Sequence, residues 1–334
     1  MPRTTPLPTL ILLTALLGFV ACAERAGRTL AAAAAPLTLE GSAYELAGEV
    51  LLPEAAPRDG AGLHNVFALS EQIISGGEPD GEEAIAAIAA MGVKTILSVD
   101  GKAPDAATAA RYGLSYVHVP IQYRGMAADE LLAIAKTFRE QPGPFYVHCF
   151  HGKHRGPAAA AVGRLVRDGV PRDQAVAEMR QWCGTSPKYE GLYRQIAAGD
   201  MPDAAQTAAF AFDFPSAHEP DGMRQLMVGL ARAFDNVAAM ADNGWTPPVD
   251  HPDIDPANEA AILAGLMERG ATLDAFERGD PALSAGLSTS LSASHSLREA
   301  VLAAREQGDW QPAEQAYRAL KASCNDCHSA FRND

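Results

Sequence analysis

Short apolar runs and stretches of helical periodicity alternate along residues 61–200. The apolar runs, bounded by glycine and proline, predict strands over 64–69, 72–75, 93–99, 115–120 and 145–148. Amphipathic spacing predicts helices over 82–91, 104–112, 127–140, 157–168, 171–182 and 188–198. Strands that alternate with helices in this way predict an α/β fold with a mostly parallel sheet and helices on both faces.

The strand signal ends near residue 200. Residues 201–220 contain three prolines and are predicted to be a linker. Four helical stretches follow, over 221–242, 256–278, 282–306 and 312–331. Helices joined by short loops predict an antiparallel four-helix bundle over residues 221–334.

The N-terminus has the pattern of an export signal over residues 1–23. Arg3 precedes an apolar run over residues 7–20, which is too short for an ordinary membrane-spanning helix. Ordinary cleavage after Ala23 is one route; lipid attachment at Cys22, which ends the lipobox-like residues 19–22, is the other. Either route predicts an exported, periplasmic protein that meets the membrane only through an N-terminal lipid. An uncleaved anchor would give the same topology. The alanine-rich segment 24–60 is predicted to be a tether and entry segment.

Charge narrows the range of partners. The net charge is -14, and residues 201–334 hold 20 acidic against 9 basic side chains. Nucleic-acid binding requires lysine and arginine to neutralise phosphates, so an acidic second half without a basic stripe argues against it.

A five-residue motif near the C-terminus carries the first candidate chemistry. Cys324 and Cys327 stand three positions apart, and His328 follows directly. This is the spacing at which two thiols form thioethers with a c-type haem and the adjacent histidine binds the iron as proximal ligand. A zinc site would need a fourth protein ligand, which the motif does not offer. The expected cofactor is therefore covalent haem c, attached outside the cytoplasm.

The bundle with this motif on its last helix resembles the cytochrome c-prime family. The resemblance implies that the first helix of the bundle lies across the haem from His328. In six-coordinate members a methionine on that helix binds the iron; Met227 is the first candidate here and Met223 the second. Core packing of both methionines, with five-coordinate iron open to nitric oxide or carbon monoxide, is the alternative. The resemblance also implies a redox partner protein and a homodimer formed through the bundle.

A second motif joins the predicted strand 145–148 to the next helix. Cys149 and Arg155 are separated by five residues. A loop in this position surrounds an anion with backbone N–H groups at a helix N-terminus. The arginine fork can hold two phosphoryl oxygens, and the positive field favours a nucleophilic thiolate at the cysteine.

The string resembles the HCxxGxxR signature of tyrosine and dual-specificity phosphatases. The resemblance extends upstream to residues 74–79 and 92–97 and covers the predicted domain 61–200. It implies that Cys149 attacks phosphorus, that Arg155 binds the phosphoryl group, and that His148 tunes the thiolate from behind the loop. The rest of the predicted phosphate loop is Phe150, His151, Gly152, Lys153, His154 and Gly156.

Two departures from that family bear on catalysis. Gly156 stands where the family usually has serine or threonine. The loop after the strand 115–120, where the family carries its aspartate general acid, has no carboxylate over residues 121–125. Asp129, with Glu130, begins the next helix and is the substitute candidate; Asp100 is a poorer one.

Two further groups have structural explanations. His148, His151 and His154 recur every three residues, but side chains of a loop around an anion point in different directions, so no metal site is expected there. Cys183 is predicted to be a buried structural thiol; a regulatory disulfide with Cys149 is the alternative.

Two functional interpretations therefore stay open. In the first, the chain is an exported phosphatase acting on phosphate esters, including phosphoproteins, joined to a haem bundle for electron transfer or for sensing gas or redox state. In the second, the loop only binds phosphate or another anion, and electron transfer by the haem is the only chemistry.

Overall fold

Six strands form a single sheet in the N-terminal part of the chain. The computed structural model describes Met1 and residues 34–218, 222–249, 251–252, 254–272 and 281–331. The strands are β1 (Arg58–Gly60), β2 (Leu63–Ala68), β3 (Ile73–Gly76), β4 (Thr95–Ser98), β5 (Ser115–His118) and β6 (Phe145–His148). Their order is β1-β2-β3-β6-β4-β5, and β3, β6, β4 and β5 run parallel while β1 and β2 pair antiparallel.

Helices cover both faces of this sheet. They are α1 (Ala43–Leu46), α2 (Gly81–Ala90), α3 (Ala106–Arg111), α4 (Ala128–Glu140), α5 (Arg155–Gly163), α6 (Arg172–Ala177), α7 (Glu190–Ala198) and α8 (Ala204–Ala209). Side chains of α2 and α3 pack on one face, and those of α4 to α7 pack on the other. Every residue of β3, β4 and β6 is buried, which is why these strands are continuous apolar runs. The predicted α/β fold with a mostly parallel sheet is confirmed.

Two segments that were predicted to be connections pack against the domain instead. Within the tether 24–60, the described residues include α1, and Leu37 donates a backbone hydrogen bond to Ala197. Within the linker 201–220, α8 forms and Thr207 is buried. The described parts of both segments therefore carry short helices and contacts with the domain, and the boundaries themselves stay predictions. Short helices capped by side chains, such as Asp203 at α8, leave little periodic signal in the sequence.

The described residues of the C-terminal region include four longer helices. They are α9 (Met223–Asp242), α10 (Pro256–Gly270), α11 (Pro281–Gln307) and α12 (Gln311–Phe331). Their apolar faces share one core, in which Phe234 stacks on Tyr317 and Trp245 stacks on Trp310. The predicted C-terminal helical region is confirmed. Over the described part of the chain, no helix combines the length and the apolar character that crossing a membrane requires.

Candidate functional site

The Cys149–Arg155 loop lies where the parallel strands end. It leaves the C-terminus of β6, between β3 and β4, and leads into α5, whose first residue is Arg155. Clefts at this edge of a parallel sheet are the usual binding positions in α/β folds. The side chains of Cys149 and Arg155 are 3% and 4% exposed, so both lie at the bottom of the site.

The carbonyl groups of the loop are turned outward and held there. Phe150 accepts from the backbone N–H of Glu78 (2.9 Å), Gly152 from Asn65 Nδ2 (2.9 Å) and Lys153 from the Thr185 hydroxyl (2.5 Å). In a planar trans peptide the N–H of the next residue points the opposite way. The amides of residues 151, 153 and 154 therefore face the interior of the loop, as an anion cradle requires.

Glycines allow the neighbouring backbones to approach this loop. Gly152 has a φ of +70°, and a Cβ there would lie 2.3 Å from the carbonyl carbon of Gly76. A Cβ on Gly76 would in turn meet the Tyr146 hydroxyl at 2.2 Å. A Cβ on Gly156 would lie 3.0 Å from the backbone nitrogen of Cys149, so the position after Arg155 has little room for serine or threonine. Close packing against the loop therefore accounts for the first departure from the phosphatase signature.

Arg155 is held by an acid and a phenol. Its Nη2 donates to Asp100 Oδ2 (2.5 Å) and to the Tyr123 hydroxyl (2.8 Å), and its guanidinium carbon lies 4.1 Å from the centre of the Tyr123 ring. Its Nε is buried and has no hydrogen-bond partner among the described residues. A buried guanidinium N–H without an acceptor is costly, and an anion in the loop would supply the acceptor.

Asp100 serves as the counter-ion of Arg155 and not as a proton donor. Burial alone would raise the pKa of this carboxyl, but Arg155 and the Lys102 amide lower it below its usual value. The backbone carbonyl of Asp100 accepts a hydrogen bond from Nε2 of His118. Nδ1 of the same ring accepts from the His218 amide, so the His118 tautomer is the one protonated on Nε2. An ionised Asp100 has no proton to give, so its role as a substitute general acid is excluded.

His148 is the last residue of β6 and directly precedes the loop. Its Nε2 is 2.6 Å from the Tyr116 hydroxyl, and both side chains are buried. Burial lowers the pKa of His148 to about 3, so the ring is neutral at physiological pH. It can act on Cys149 through hydrogen bonding of a neutral imidazole, but it brings no positive charge.

The remaining predicted residues are spread around the loop. Lys153 is exposed, Phe150 and His151 are half-buried, and His154 is buried with its Nδ1 accepting from the Ser186 amide. Among the described residues, no three His, Cys, Asp or Glu side chains converge to hold a metal ion. Asp129 is exposed in the first turn of α4, and the carboxylate that forms an ion pair with Arg155 is that of Asp100.

The helical region lines one side of this site, which the sequence did not indicate. A Cβ on Gly101, next to Asp100, would touch the Ile262 side chain of α10 at 3.2 Å. The His251 ring lies 6.4 Å from Tyr123 and 6.1 Å from Tyr189, measured between ring centres. Glu259 is buried on the same helix, and its negative charge contributes to raising the pKa of Arg155. His251, Glu259 and Ile262 therefore form a rim beside the phosphate loop.

The motif made of Cys324, Cys327 and His328 lies on α12. Cys324 and Cys327 are half-buried on one face of this helix, and burial raises the pKa of both thiols. A Cβ on Gly286 of α11 would lie 3.5 Å from Cys327 Sγ. His328 is exposed, and Met223, Met227 and Cys324 border the same apolar core.

The solved structures that resemble this chain each cover about two fifths of it. No family model and no curated protein matches the chain. A DUF442 phosphatase candidate from Shewanella putrefaciens CN-32 is 19% identical over 41% of this chain and 90% of its own, with a TM-score of 0.33. TpbA from P. aeruginosa is 22% identical over 40% and 96%, with a TM-score of 0.31, and a serine variant of it was solved with phosphotyrosine. The core domain of the PP-IP phosphatase SIW14 from S. cerevisiae is 15% identical over 42% and 85%, with a TM-score of 0.34. At these TM-scores the likeness carries no argument about the chemistry of this chain, which has to be argued from the geometry of its own site.

Replacing Asp100 by asparagine tests the buried ion pair. The variant leaves the Arg155 charge without a counter-ion, and we expect it to lose about 3–5 kcal/mol of unfolding free energy at pH 7. Because the pKa of Asp100 is lowered in the folded state, the loss is full above the unfolded pKa of about 3.9 and shrinks as the pH falls below it.

Denaturant unfolding at pH 7 and at pH 3 measures both effects. The matched control is Asp129→Asn, which neutralises an exposed carboxylate and should change stability little. The assignment of Asp100 as the counter-ion of Arg155 would be contradicted if the two proteins had equal unfolding free energies at pH 7. It would also be contradicted if the difference in unfolding free energy grew on acidification.

Proposed function

We propose that the α/β domain hydrolyses phosphate esters through a phosphocysteine at Cys149. The observation that carries this proposal is the loop itself, in which the carbonyls of residues 150, 152 and 153 are bound by outside donors, so the three following amides are left to face inward. Arg155 adds a buried positive charge and an N–H that lacks an acceptor among the described residues. A phosphoryl group matches this combination of donors and charge.

The reaction follows from these positions. Cys149 Sγ attacks phosphorus, an S–P bond forms, and the ester P–O bond breaks with a proton passing to the leaving oxygen. Arg155 and the loop amides hold the non-bridging oxygens, on which charge builds up. Water then attacks phosphorus, the S–P bond breaks, and inorganic phosphate leaves with the thiol regenerated.

Two variants test the proposed hydrolysis. We expect Cys149→Ser to abolish phosphate release from an aryl phosphate, and Arg155→Lys to reduce kcat/KM by roughly 10²–10³-fold because the fork and its N–H donors are lost. Cys183→Ser is the matched control, since that thiol is also buried but lies outside the loop.

Steady-state phosphate release is the measurement. Turnover by wild type that matches Cys149→Ser would refute hydrolysis. Binding of inorganic phosphate without any turnover would instead support the alternative, an anion-binding module, which the missing hydroxyl at Gly156 favours.

We further propose that the helical region carries a covalent c-type haem. The residues present fit the group: two thiols share one face of α12, and His328 is exposed beside them. Cys324 and Cys327 would add their S–H groups to the two vinyl substituents, and His328 would bind the iron. Such a haem supplies one-electron chemistry, with Met227 or Met223 as the candidate sixth ligand.

A visible spectrum of protein matured in a bacterial periplasm tests the haem. We expect haem that stays attached after denaturation in wild type and is lost in Cys324→Ser/Cys327→Ser, with Cys183→Ser unchanged. Haem that denaturation removes from wild type would contradict covalent attachment. A Met227→Ala spectrum identical to that of wild type would assign the sixth position to another group.

The haem proposal includes export, because attachment of this kind takes place outside the cytoplasm. The proposed leader and Cys22 lie outside the described residues, as do residues 24–33 of the proposed tether. A redox partner protein and a homodimer belong to the same proposal.

We also propose that the rim formed by His251, Glu259 and Ile262 couples the two regions. Ile262 packs on Gly101 directly beside the Asp100 counter-ion, and His251 approaches Tyr123, which contacts Arg155. A shift of α10 would therefore change how easily a substrate reaches the loop, and it would change the electrostatic field at Arg155. The haem state would act on the phosphatase site through this contact.

A disulfide between the two sides tests the coupling. A Cβ on Gly101 would lie 3.2 Å from the Ile262 side chain, so a Gly101→Cys/Ile262→Cys pair is close enough to form a disulfide. Oxidation of this pair should lower kcat/KM, and reduction should restore it. The two single variants, treated in the same way, control for oxidation of Cys149. An oxidised pair as active as the reduced one would show that opening at this rim is not required.

A further inference from the structure

One face of α10 is turned towards the α/β domain. A Cβ on Gly101 would lie 3.2 Å from the Ile262 side chain of this helix. Burial lowers the pKa of His118 in β5 to about 4, and the charge of Arg269 contributes, so Arg269 lies on the same side. Residues four and seven positions apart share one face of an α-helix, and Asn258 stands four positions before Ile262. Asn258 therefore belongs to the face that meets the α/β domain.

Other residues of α10 form its contacts with α9. Glu259 accepts from Asn236 of α9 at 2.9 Å, and a Cβ on Gly270 would lie 2.6 Å from Leu226. Because an α-helix turns by about 100° per residue, Glu259 and Gly270 lie about 100–120° around the helix from Asn258. The packing on α9 thus takes a different face of α10 and leaves Asn258 directed at the α/β domain.

Asn258 lies along the chain between the two contacts of the rim. One contact is made beside Asp100 and the other at Tyr123. Arg155 donates to both of these side chains, so the stretch between the two contacts passes across its guanidinium. The helix phase and the rim contacts together place Asn258 opposite Arg155.

The side chain of Asn258 is a buried amide with an unused donor and an unused acceptor. It is 4% exposed, and neither Nδ2 nor Oδ1 has a hydrogen-bond partner among the described residues. Across the same space, the buried Nε of Arg155 also lacks a partner among them. Buried polar groups in proteins are normally satisfied, so this pair of groups indicates a ligand that contacts both.

We propose that Asn258 binds the organic part of the phosphate ester and selects substrates in which the phosphate is carried by an extended peptide. This inference rests on the proposed hydrolysis at Cys149. The loop amides and Arg155 take the phosphoryl oxygens, which only accept hydrogen bonds, so a phosphoryl group would leave Oδ1 of Asn258 unpaired.

An extended peptide would satisfy both atoms of the amide. The N–H and C=O groups of one extended residue point to the same side, as they do in the hydrogen-bonded pairs of antiparallel strands. The N–H would donate to Oδ1 of Asn258, and the C=O would accept from Nδ2. The helical region would in this way supply substrate specificity to the phosphate loop of the α/β domain.

Binding measured without turnover isolates this contact. In Cys149→Ser protein, calorimetry compares N-acetyl-O-phosphotyrosine amide, which carries the peptide groups, with phenyl phosphate, which is an aryl ester without them. Because two hydrogen bonds are lost, we expect Asn258→Leu to weaken binding of the blocked phosphotyrosine by roughly 10–100-fold. Binding of phenyl phosphate should change by less than about 3-fold, since that ester makes no contact with the amide.

The stability of the same variant separates recognition from a structural role. The amide of Asn258 has no partner to lose among the described residues, so Asn258→Leu should keep the unfolding free energy of the Cys149→Ser protein. Asn236→Leu is the matched control, because that amide does bond to Glu259. It should lower the unfolding free energy and leave the preference between the two esters unchanged.

Three results would overturn the inference. Equal weakening of both esters would assign Asn258 to the packing of the site, and a preference that survives in Asn258→Leu would assign recognition to another group. If neither ester binds, the phosphate site and the inference fail together. Absence of turnover in wild type would refute the hydrolysis alone, so the two failures are distinguishable.

Discussion

The buried positive charge of Arg155 is the constraint on which the rest of the site depends. A guanidinium that is 4% exposed requires a counter-ion, and Asp100 supplies it from the end of the neighbouring strand. β4 pairs with β6, which brings Asp100 beside the loop, and His118, which accepts from the His218 amide, donates to the Asp100 carbonyl. Nη2 is occupied by Asp100 and Tyr123, and the buried Nε, which has no partner among the described residues, can donate to a ligand.

The loop above this charge is rigid because its carbonyls are bound from outside. Donors from three separate segments of the chain, around Asn65, Glu78 and Thr185, hold it in place. Each outward bond fixes the direction of the following amide, so the anion cradle is prepared before any ligand arrives. The glycines at 76, 152 and 156 permit these close approaches, and one of them removes the hydroxyl that the related signature carries.

Much of the fold could be predicted because its signals are local. The buried strands are short apolar runs ended by glycine or proline, and the helices of both regions have clear amphipathic periods. The loop residues Cys149 and Arg155 could be found for the same reason, since a strand, a fixed spacing and a helix start define them.

Other features depend on tertiary contacts that no local pattern contains. The pairing of Asp100 with Arg155 joins residues far apart in sequence, so the sequence indicates Asp100 only as a poorer acid candidate and not as a counter-ion. The hydrogen bond between Tyr123 and Arg155 depends on the same kind of tertiary contact. The rim beside the phosphate loop and the packing of α1 and α8 arise from contacts between segments that are distant in sequence. The hydrophobic periodicity of a single segment carries no information about such contacts. The haem remains a prediction from the motif.

The most direct test of the central claim is to identify the covalent intermediate. Wild-type protein would be mixed with an aryl phosphate, quenched in acid during turnover, digested and examined by mass spectrometry. The account predicts a phosphoryl group on Cys149 that is absent from Cys149→Ser. Turnover without an adduct, or an adduct on a histidine of the loop, would contradict it.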